Sequence, residues 1–365
     1  MVAMTTPIAS NPYTILVIAD EKTIGHHIER ALSSADDLSA DAHYASAIDA
    51  ISRFRKHHFD AIILDIGMVT EDPLVSINRI LRIDEHSKII MISTLSFANV
   101  RQSMKGFERG AAEFIQTPSN FSENKSFLKF QSALCRVSRT LSIARRQEPD
   151  RPTRTRPLPS SPPTQKIILR PPSKVRPRIL AIGSSTGGPA ALVTVLSALP
   201  DDFPIPIIIT QHMPKAFTAV LATTLSKRTS KTAVEGETGM ILKPNHIYIA
   251  PGDQHMTLTG TSSHAKITLN QGPAVNYCRP SVEPMVESAV RLYGANTLLA
   301  ILTGMGADGK LGAEAVVNAK GTVIAQDFET SVVWGMPRTV AELGYCSQVL
   351  PVEKIAPTIE KLTLG

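Results

Sequence analysis

Residues 183–188 read Gly-Ser-Ser-Thr-Gly-Gly, three adjacent hydroxyl side chains enclosed by glycines. The apolar run Ile179-Leu180-Ala181-Ile182 leads into them, and a helical pattern over 189–196 follows. Hydroxyls held at a helix N-terminus meet unpaired backbone N–H groups and the positive end of the helix dipole, both of which favour negative charge. Two chemistries use such a loop. It can cradle a phosphate, or it can carry an activated serine and the oxyanion formed when that serine attacks a carbonyl. The glycine spacing does not fit Gly-x-Gly-x-x-Gly, and no Gly-Lys-Ser/Thr phosphate loop follows.

A serine hydroxyl is a poor nucleophile at neutral pH. An imidazole must take its proton, and a carboxylate must fix the imidazole's tautomer. Three other loops offer these groups. Gln211-His212-Met213-Pro214 follows the apolar run 205–210, and Pro251-Gly252-Asp253-Gln254-His255 follows 246–250. Thr303-Gly304-Met305-Gly306-Ala307-Asp308-Gly309 follows 298–302. His212 and His255 compete for the base, and Asp253 and Asp308 for its orienting acid; spacing alone leaves both contests open.

The elements that must position these loops are buried strands alternating with helices. In the second half of the chain, runs at 179–182, 205–210, 246–250, 298–302 and 322–325 predict strands. In the first half, strands are expected at 14–18, 61–64, 88–92 and 113–115, with amphipathic stretches at 24–32, 45–54 and 74–83 between them. Such alternation predicts an α/β protein of two doubly wound parallel sheets, whose ligands gather at the carboxyl ends of strands. A further helix is expected over 126–144.

The formal net charge of +6 is not evenly spread. Residues 145–178 hold ten Lys or Arg against Glu148 and Asp150, which leaves a net −2 for the rest. The same stretch is rich in proline, which predicts an extended tether and not a nucleic-acid surface. The organisation expected is a tail over 1–12, a first domain over 13–144, a basic Pro-rich linker over 145–176 and a second domain over 177–365. No apolar run approaches the roughly 20 residues that span a bilayer, and the N-terminus lacks a signal-peptide pattern. Cys135, Cys278 and Cys346 are too few and scattered for a disulfide framework, so they are expected to be ordinary thiols. No nucleic acid and no membrane insertion are expected, and the cytoplasm is the expected compartment.

The wording of the loops in the second half resembles the catalytic domain of the chemotaxis protein-glutamate methylesterase family. Ile182-Gly-Ser-Ser-Thr-Gly-Gly, Thr210-Gln-His-Met-Pro, Ile249-Ala-Pro-Gly-Asp-Gln-His-Met, Gly272-Pro-Ala-Val-Asn, Arg279-Pro-Ser-Val, Leu302-Thr-Gly-Met-Gly-Ala-Asp-Gly and Val332-Val-Trp-Gly-Met-Pro occur in the family's order. The resemblance implies a Rossmann-like serine esterase that needs no cofactor for catalysis. It would hydrolyse glutamate γ-methyl esters on chemoreceptor cytoplasmic domains with release of methanol, and could also deamidate receptor glutamines. By motif, Ser185 is implied as nucleophile, His212 as base and Asp308 as its orienter. Thr186 and the Met305 backbone are implied at the oxyanion, Ser184 as a spacer and His255 near the pocket. The rival reading is a non-catalytic docking protein of a chemosensory pathway.

The first half resembles a flavodoxin-like two-component receiver. Asp65 in Leu64-Asp65-Ile66-Gly67-Met68 matches the phosphoacceptor, Ser93 the hydroxyl position, and Phe114 the aromatic of the last-strand motif Gly110–Pro118. The resemblance implies phosphotransfer from a chemotaxis histidine kinase and a Mg²⁺ ion held by Asp65 with an acidic pair after the first strand. Here that pair reads Ala19-Asp20-Glu21, which leaves Asp20, and Glu21 from its other side, as the candidate ligands. Thr117 stands where receivers carry the lysine that pairs with the phosphoryl group. The expectation is a degenerate receiver.

Overall fold

The structure, a computed structural model, describes residues 12–19, 24–44, 47–55, 57–67, 71–148 and 167–365. The chain divides into two compact units, Met1–Pro152 and Thr153–Gly365.

In the first unit the elements run β1 (Tyr13–Ile18), α1 (His26–Leu32), β2 (Leu38–Tyr44), α2 (Ala47–Phe54), β3 (Ala61–Asp65), α3 (Pro73–Ile83), β4 (Ile89–Ser93), α4 (Phe97–Glu108), β5 (Glu113–Gln116) and α5 (Asn124–Gln147). The strands form one parallel sheet in the order β2-β1-β3-β4-β5. Both faces are covered, so the inner strands are apolar up to their last residues, Asp65 and Ser93: β3 and β4 are buried at every position. The sequence reading lacked β2, whose residues Leu-Ser-Ala-Asp-Ala-His-Tyr carry no apolar run. It is an edge strand, and an edge needs less burial.

Arg145 and Arg146, expected in the linker, form the last turn of α5 instead. The Arg145 guanidinium lies 2.6 Å from Asp84 and 2.8 Å from Glu148, and Arg146 reaches the buried Asp60 at 2.7 Å. Their charge is answered inside the unit, so it does not belong to a tether. At the linker's other end, the Arg170 N–H donates to the Cys346 carbonyl within the second unit. Residues 149–166 lie outside the described residues.

The second unit runs β6 (Ile179–Ser184), α6 (Gly188–Ser197), β7 (Ile207–Gln211), α7 (Lys215–Arg228), β8 (Thr232–Glu235), β9 (His246–Ile249), β10 (His255–Thr261), β11 (His264–Asn270), α8 (Val282–Tyr293), β12 (Thr297–Ile301), α9 (Lys310–Asn318), β13 (Thr322–Gln326), α10 (Met336–Glu342), β14 (Gln348–Leu350) and α11 (Val352–Leu364). Its seven-stranded parallel sheet has the order β14-β13-β12-β6-β7-β9-β8. From β6 the chain extends the sheet through β7 to one side and through β12, β13 and β14 to the other. The reversal falls between β6 and β12, and crevices form at such a switch point. The antiparallel hairpin β10–β11 is an addition to the doubly wound pattern, and it places His255 on a strand and not in a loop. No helix among the described residues is long and apolar enough to cross a membrane.

Candidate active site

Strands β6 and β7 pair with Ser184 opposite Gln211. Ser185 and His212 are therefore the residues at which the two neighbouring strands leave the sheet together. The junction is clamped. The buried Ser184 hydroxyl donates to Gln211 Oε1 at 2.6 Å, and Gln211 Nε2 donates to the carbonyls of Ser185 (2.9 Å) and His212 (3.1 Å). Both polar ends of a buried amide are thus satisfied, which fixes the register. Ser184 is more than a spacer: it holds the turn. Ser185 follows it, half-buried, with its N–H donating to the Thr303 carbonyl at 3.0 Å.

Two glycines make this turn possible. Gly187 has φ +77°, and a Cβ there would stand 2.6 Å from Val332 Cβ. At Gly304 a Cβ would approach the Ser185 Cβ to 2.8 Å, so only glycine lets the loop after β12 lie against the serine. Thr186 is buried, and its carbonyl accepts the Thr303 hydroxyl at 2.9 Å. Met305 follows Gly304 in that loop and is half-buried.

His212 is held at both ring nitrogens. Nε2 lies 2.8 Å from Asp308 Oδ2, and Nδ1 faces Cys278 Sγ at 3.6 Å. The Ser185 hydroxyl is not one of the two groups on the ring. Asp308 is buried, and its carboxylate is saturated with donors. Oδ1 accepts from the Ser281 hydroxyl (2.6 Å) and Asn276 Nδ2 (2.9 Å), while Oδ2 accepts from the Val282 N–H (2.7 Å) as well as from His212. Burial alone would raise the Asp308 pKa, but the hydrogen bonds and charge of His212, helped by Ser281 and Val282, bring it below the usual carboxylate value. For His212, burial disfavours the imidazolium. The hydrogen bonds to Asp308 and Cys278 and the charges of both outweigh it, and the pKa rises from 6.5 to about 9.

The other candidates part company here. His255 is buried, with Nε2 donating to the Pro273 carbonyl at 3.0 Å and Nδ1 accepting the Ser281 N–H at 3.2 Å. Backbone thus occupies both nitrogens, and His255 steadies the serine that holds Asp308. Asp253 is exposed at φ +65°, a turn residue away from the imidazole partnership.

Sequence reasoning missed four residues. Asn276 and Ser281 bond Asp308 directly. The buried Glu283 carboxylate accepts from the N–H groups of Gly309 (3.0 Å), Leu311 (3.0 Å) and Gly312, which anchors the start of α9 just after Asp308. Cys278, expected to be an ordinary thiol, sits on the imidazole. Asn276 and Ser281 lie within the quoted loops Gly272–Asn276 and Arg279–Val282, and that was the available signal. Their roles depend on a chain reversal at Asn276 and Tyr277, where φ is +52° and +63°.

In the first unit, Asp65 ends β3, buried, with Oδ1 accepting the Gly67 N–H at 2.8 Å. A Cβ on Gly67 would lie 3.2 Å from Asp65 Oδ1 and 3.4 Å from Ser93 Oγ, so carboxylate and hydroxyl flank the same point. Ser93 Oγ accepts from Asn99 Nδ2 at 2.6 Å. Thr117 is buried beside them, its N–H on the Ser93 carbonyl at 2.8 Å, and its hydroxyl has no hydrogen-bond partner among the described residues. Asp20 and Glu21 lie outside the described residues.

Comparison with known proteins finds the CheB methylesterase family model over residues 180–359 and the response regulator receiver domain model over 15–128. A protein-glutamate methylesterase/protein-glutamine glutaminase of Nitrobacter hamburgensis is 38% identical over 364 residues, 97% of this chain and 95% of its own. One of the same name from Azospirillum brasilense is 38% identical over 96% of this chain and 93% of its own. The crystal structure of the Thermotoga maritima CheB methylesterase catalytic domain is 44% identical with a TM-score of 0.50, covering 52% of this chain and all of that one.

Proposed function

The chain belongs to the CheB methylesterase family, and on that premise we propose that it hydrolyses glutamate γ-methyl esters on chemoreceptor cytoplasmic domains with Ser185, His212 and Asp308 as its triad. The observation that carries the reading is the His212–Asp308 pair, 2.8 Å apart in the loops after β7 and β12, with Ser185 in the loop that follows the neighbouring strand β6. Asp308 occupies Nε2, so the nitrogen left to act as base is Nδ1. In the first step Ser185 Oγ attacks the ester carbonyl, and its proton passes to Nδ1 as the imidazole turns from Cys278. The tetrahedral oxyanion would face the N-terminus of α6, with Thr186 and the Met305 backbone as the contributing groups. The proton then goes to the leaving methoxide, and methanol departs from the acyl-enzyme. Water, deprotonated by the same nitrogen, releases the glutamate carboxylate and restores Ser185. With glutamine as substrate the same acyl-enzyme forms and ammonia leaves, which is the second activity in the relatives' name. A protein acting on such domains works in the cytoplasm, with no cofactor for catalysis.

The test is methanol release from methylated receptor. Loss of the nucleophile in Ser185→Ala should lower the rate on the order of 10⁴-fold or more; equal release by both proteins would favour a docking protein without catalysis.

For the first unit we propose a degenerate receiver. A Mg²⁺ ion there would offset phosphoryl charge, and it usually takes one or two carboxylates with waters and phosphate oxygens. Among the described residues Asp65 is the sole carboxylate that closes a strand of this sheet, Ala19 supplies none, and Thr117 brings no cation to the phosphoryl group. Asp65 can supply one carboxylate to such an ion; what supports the degenerate reading is the pair of losses, a carboxylate at Ala19 and a cation at Thr117. Acyl-phosphate labelling with Mg²⁺ should be slow; rapid labelling that disappears in Asp65→Asn would sink the idea and restore a role for a histidine kinase.

A further inference from the structure

Cys278 takes no proton and forms no bond to substrate in the hydrolysis just described, yet it lies against the atom on which that hydrolysis depends. Its Sγ is 3.6 Å from His212 Nδ1. A tetrahedral zinc-class ion, with bonds of about 2.3 Å to sulfur and about 2.0–2.1 Å to nitrogen, holds two such ligand atoms about 3.6 Å apart. The pair therefore has the bite of a metal site without rearrangement. Its surroundings fit as well. Asp308 Oδ2 sits 2.8 Å from Nε2, the carboxylate–histidine arrangement that fixes the tautomer and makes the other nitrogen a better donor. Imidazole, thiol and carboxylate ligand atoms lie within 4.8 Å of one another. Cys278 and His212 are both half-buried, so an ion can reach them from solvent, whereas Cys135 and Cys346 are buried.

We propose that Cys278 and His212 bind a thiophilic divalent cation of the zinc class, and that the bound ion silences the esterase by occupying the nitrogen that must accept the serine proton. On binding, the thiol loses its proton to solvent, and sulfur and Nδ1 each donate an electron pair to the ion. No electron is transferred, and the step reverses when a chelator removes the ion. Thiolate sulfur selects this class over Mg²⁺ or Ca²⁺, which prefer oxygen. The inhibition rests on the triad reading, whereas the binding does not.

The experiment uses the full chain and two probes. Co²⁺ titration should produce a near-ultraviolet sulfur-to-cobalt charge-transfer band, which Zn²⁺ then abolishes by displacement. Cys278→Ser and Cys278→Ala should both lose the band, and Ser185→Ala should keep it. In parallel, Zn²⁺ should inhibit methanol release by the wild type, reversibly with a chelator, and at least tenfold more Zn²⁺ should be needed for the Cys278 variants. No band in the wild type at saturating Co²⁺, a band that survives both Cys278 substitutions, or equal Zn²⁺ sensitivity of wild type and variants would overturn the proposal. If no methanol is released at all, the triad reading fails while the cobalt band still decides the binding.

Discussion

The two units solve the same architectural problem with opposite attention to detail. Each gathers hydroxyls and carboxylates at the carboxyl ends of a parallel sheet, yet the donors around those groups differ sharply. In the second unit Asp308 accepts from Asn276, Ser281, Val282 and His212, and Glu283 accepts three backbone N–H groups beside it. In the first unit the Thr117 hydroxyl is buried next to Ser93 with no partner among the described residues. A buried carboxylate with every lone pair answered cannot turn, so it orients an imidazole at no reorganisation cost. A buried hydroxyl without a partner is a loss that only a binding event or a neighbour could recover. The contrast locates the chemistry in the second unit.

The largest effect that could break this contrast is on rate. Asp308→Asn should lower the kcat of methanol release on the order of 10⁴-fold, because an amide stabilises the wrong tautomer. Without a phosphodonor, Asp65→Asn should leave methanol release essentially unchanged. Comparable losses from the two substitutions would erase the distinction between the units.

Next in size is stability. Ser281→Ala removes a donor from the buried Asp308 and the cap of α8, whose Glu283 N–H it accepts. A cost of about 1–3 kcal/mol is expected in urea unfolding of the second unit, with His212 chemistry impaired as well.

A pH series sharpens the account further. The base form of His212 grows as pH rises towards about 9, so methanol release should climb through that range. Stability should move the other way. A histidine whose folded pKa exceeds its ordinary 6.5 contributes stability fully below 6.5 and loses it as pH rises through about 9. Because Cys278 is one of the causes of the high value, Cys278→Ser should move the activity midpoint down. A midpoint that does not move would remove the thiol from the electrostatics of the site.

The smallest effect tests the other side of the comparison. Thr117→Val exchanges an unpaired buried hydroxyl for a methyl of the same shape, and the first unit should be unchanged or stabilised by up to about 1 kcal/mol. Destabilisation by more than that would mean that the hydroxyl has work in the fold.

Much of this arrangement is legible in the sequence. Buried parallel strands are apolar runs, and the loops after them stand out by their glycines at 183–188 and 303–309 and by the histidine and proline at 211–214. What stayed hidden depends on contacts distant in sequence. β2 and the hairpin β10–β11 lack the continuous apolar run of a doubly buried strand. Arg145 and Arg146 look like tether charge until Asp84 and Asp60 are found opposite them. Cys278 is one unremarked thiol in the sequence, and only the reversal at Asn276 and Tyr277 brings it to His212. Among three adjacent hydroxyls, likewise, nothing local separates Ser184, turned inward to Gln211, from Ser185 beyond it.

That last pair gives the most direct test of the central claim. Methanol release from methylated receptor should be measured side by side for Ser184→Ala and Ser185→Ala, each checked for folding by circular dichroism. Ser185→Ala should lose on the order of 10⁴-fold or more in rate, while Ser184→Ala, which removes only a clamp on the turn, should retain activity within about tenfold, the scale of one hydrogen bond. Activity surviving in Ser185→Ala, or lost equally in a folded Ser184→Ala, would contradict the assignment of Ser185 as the nucleophile.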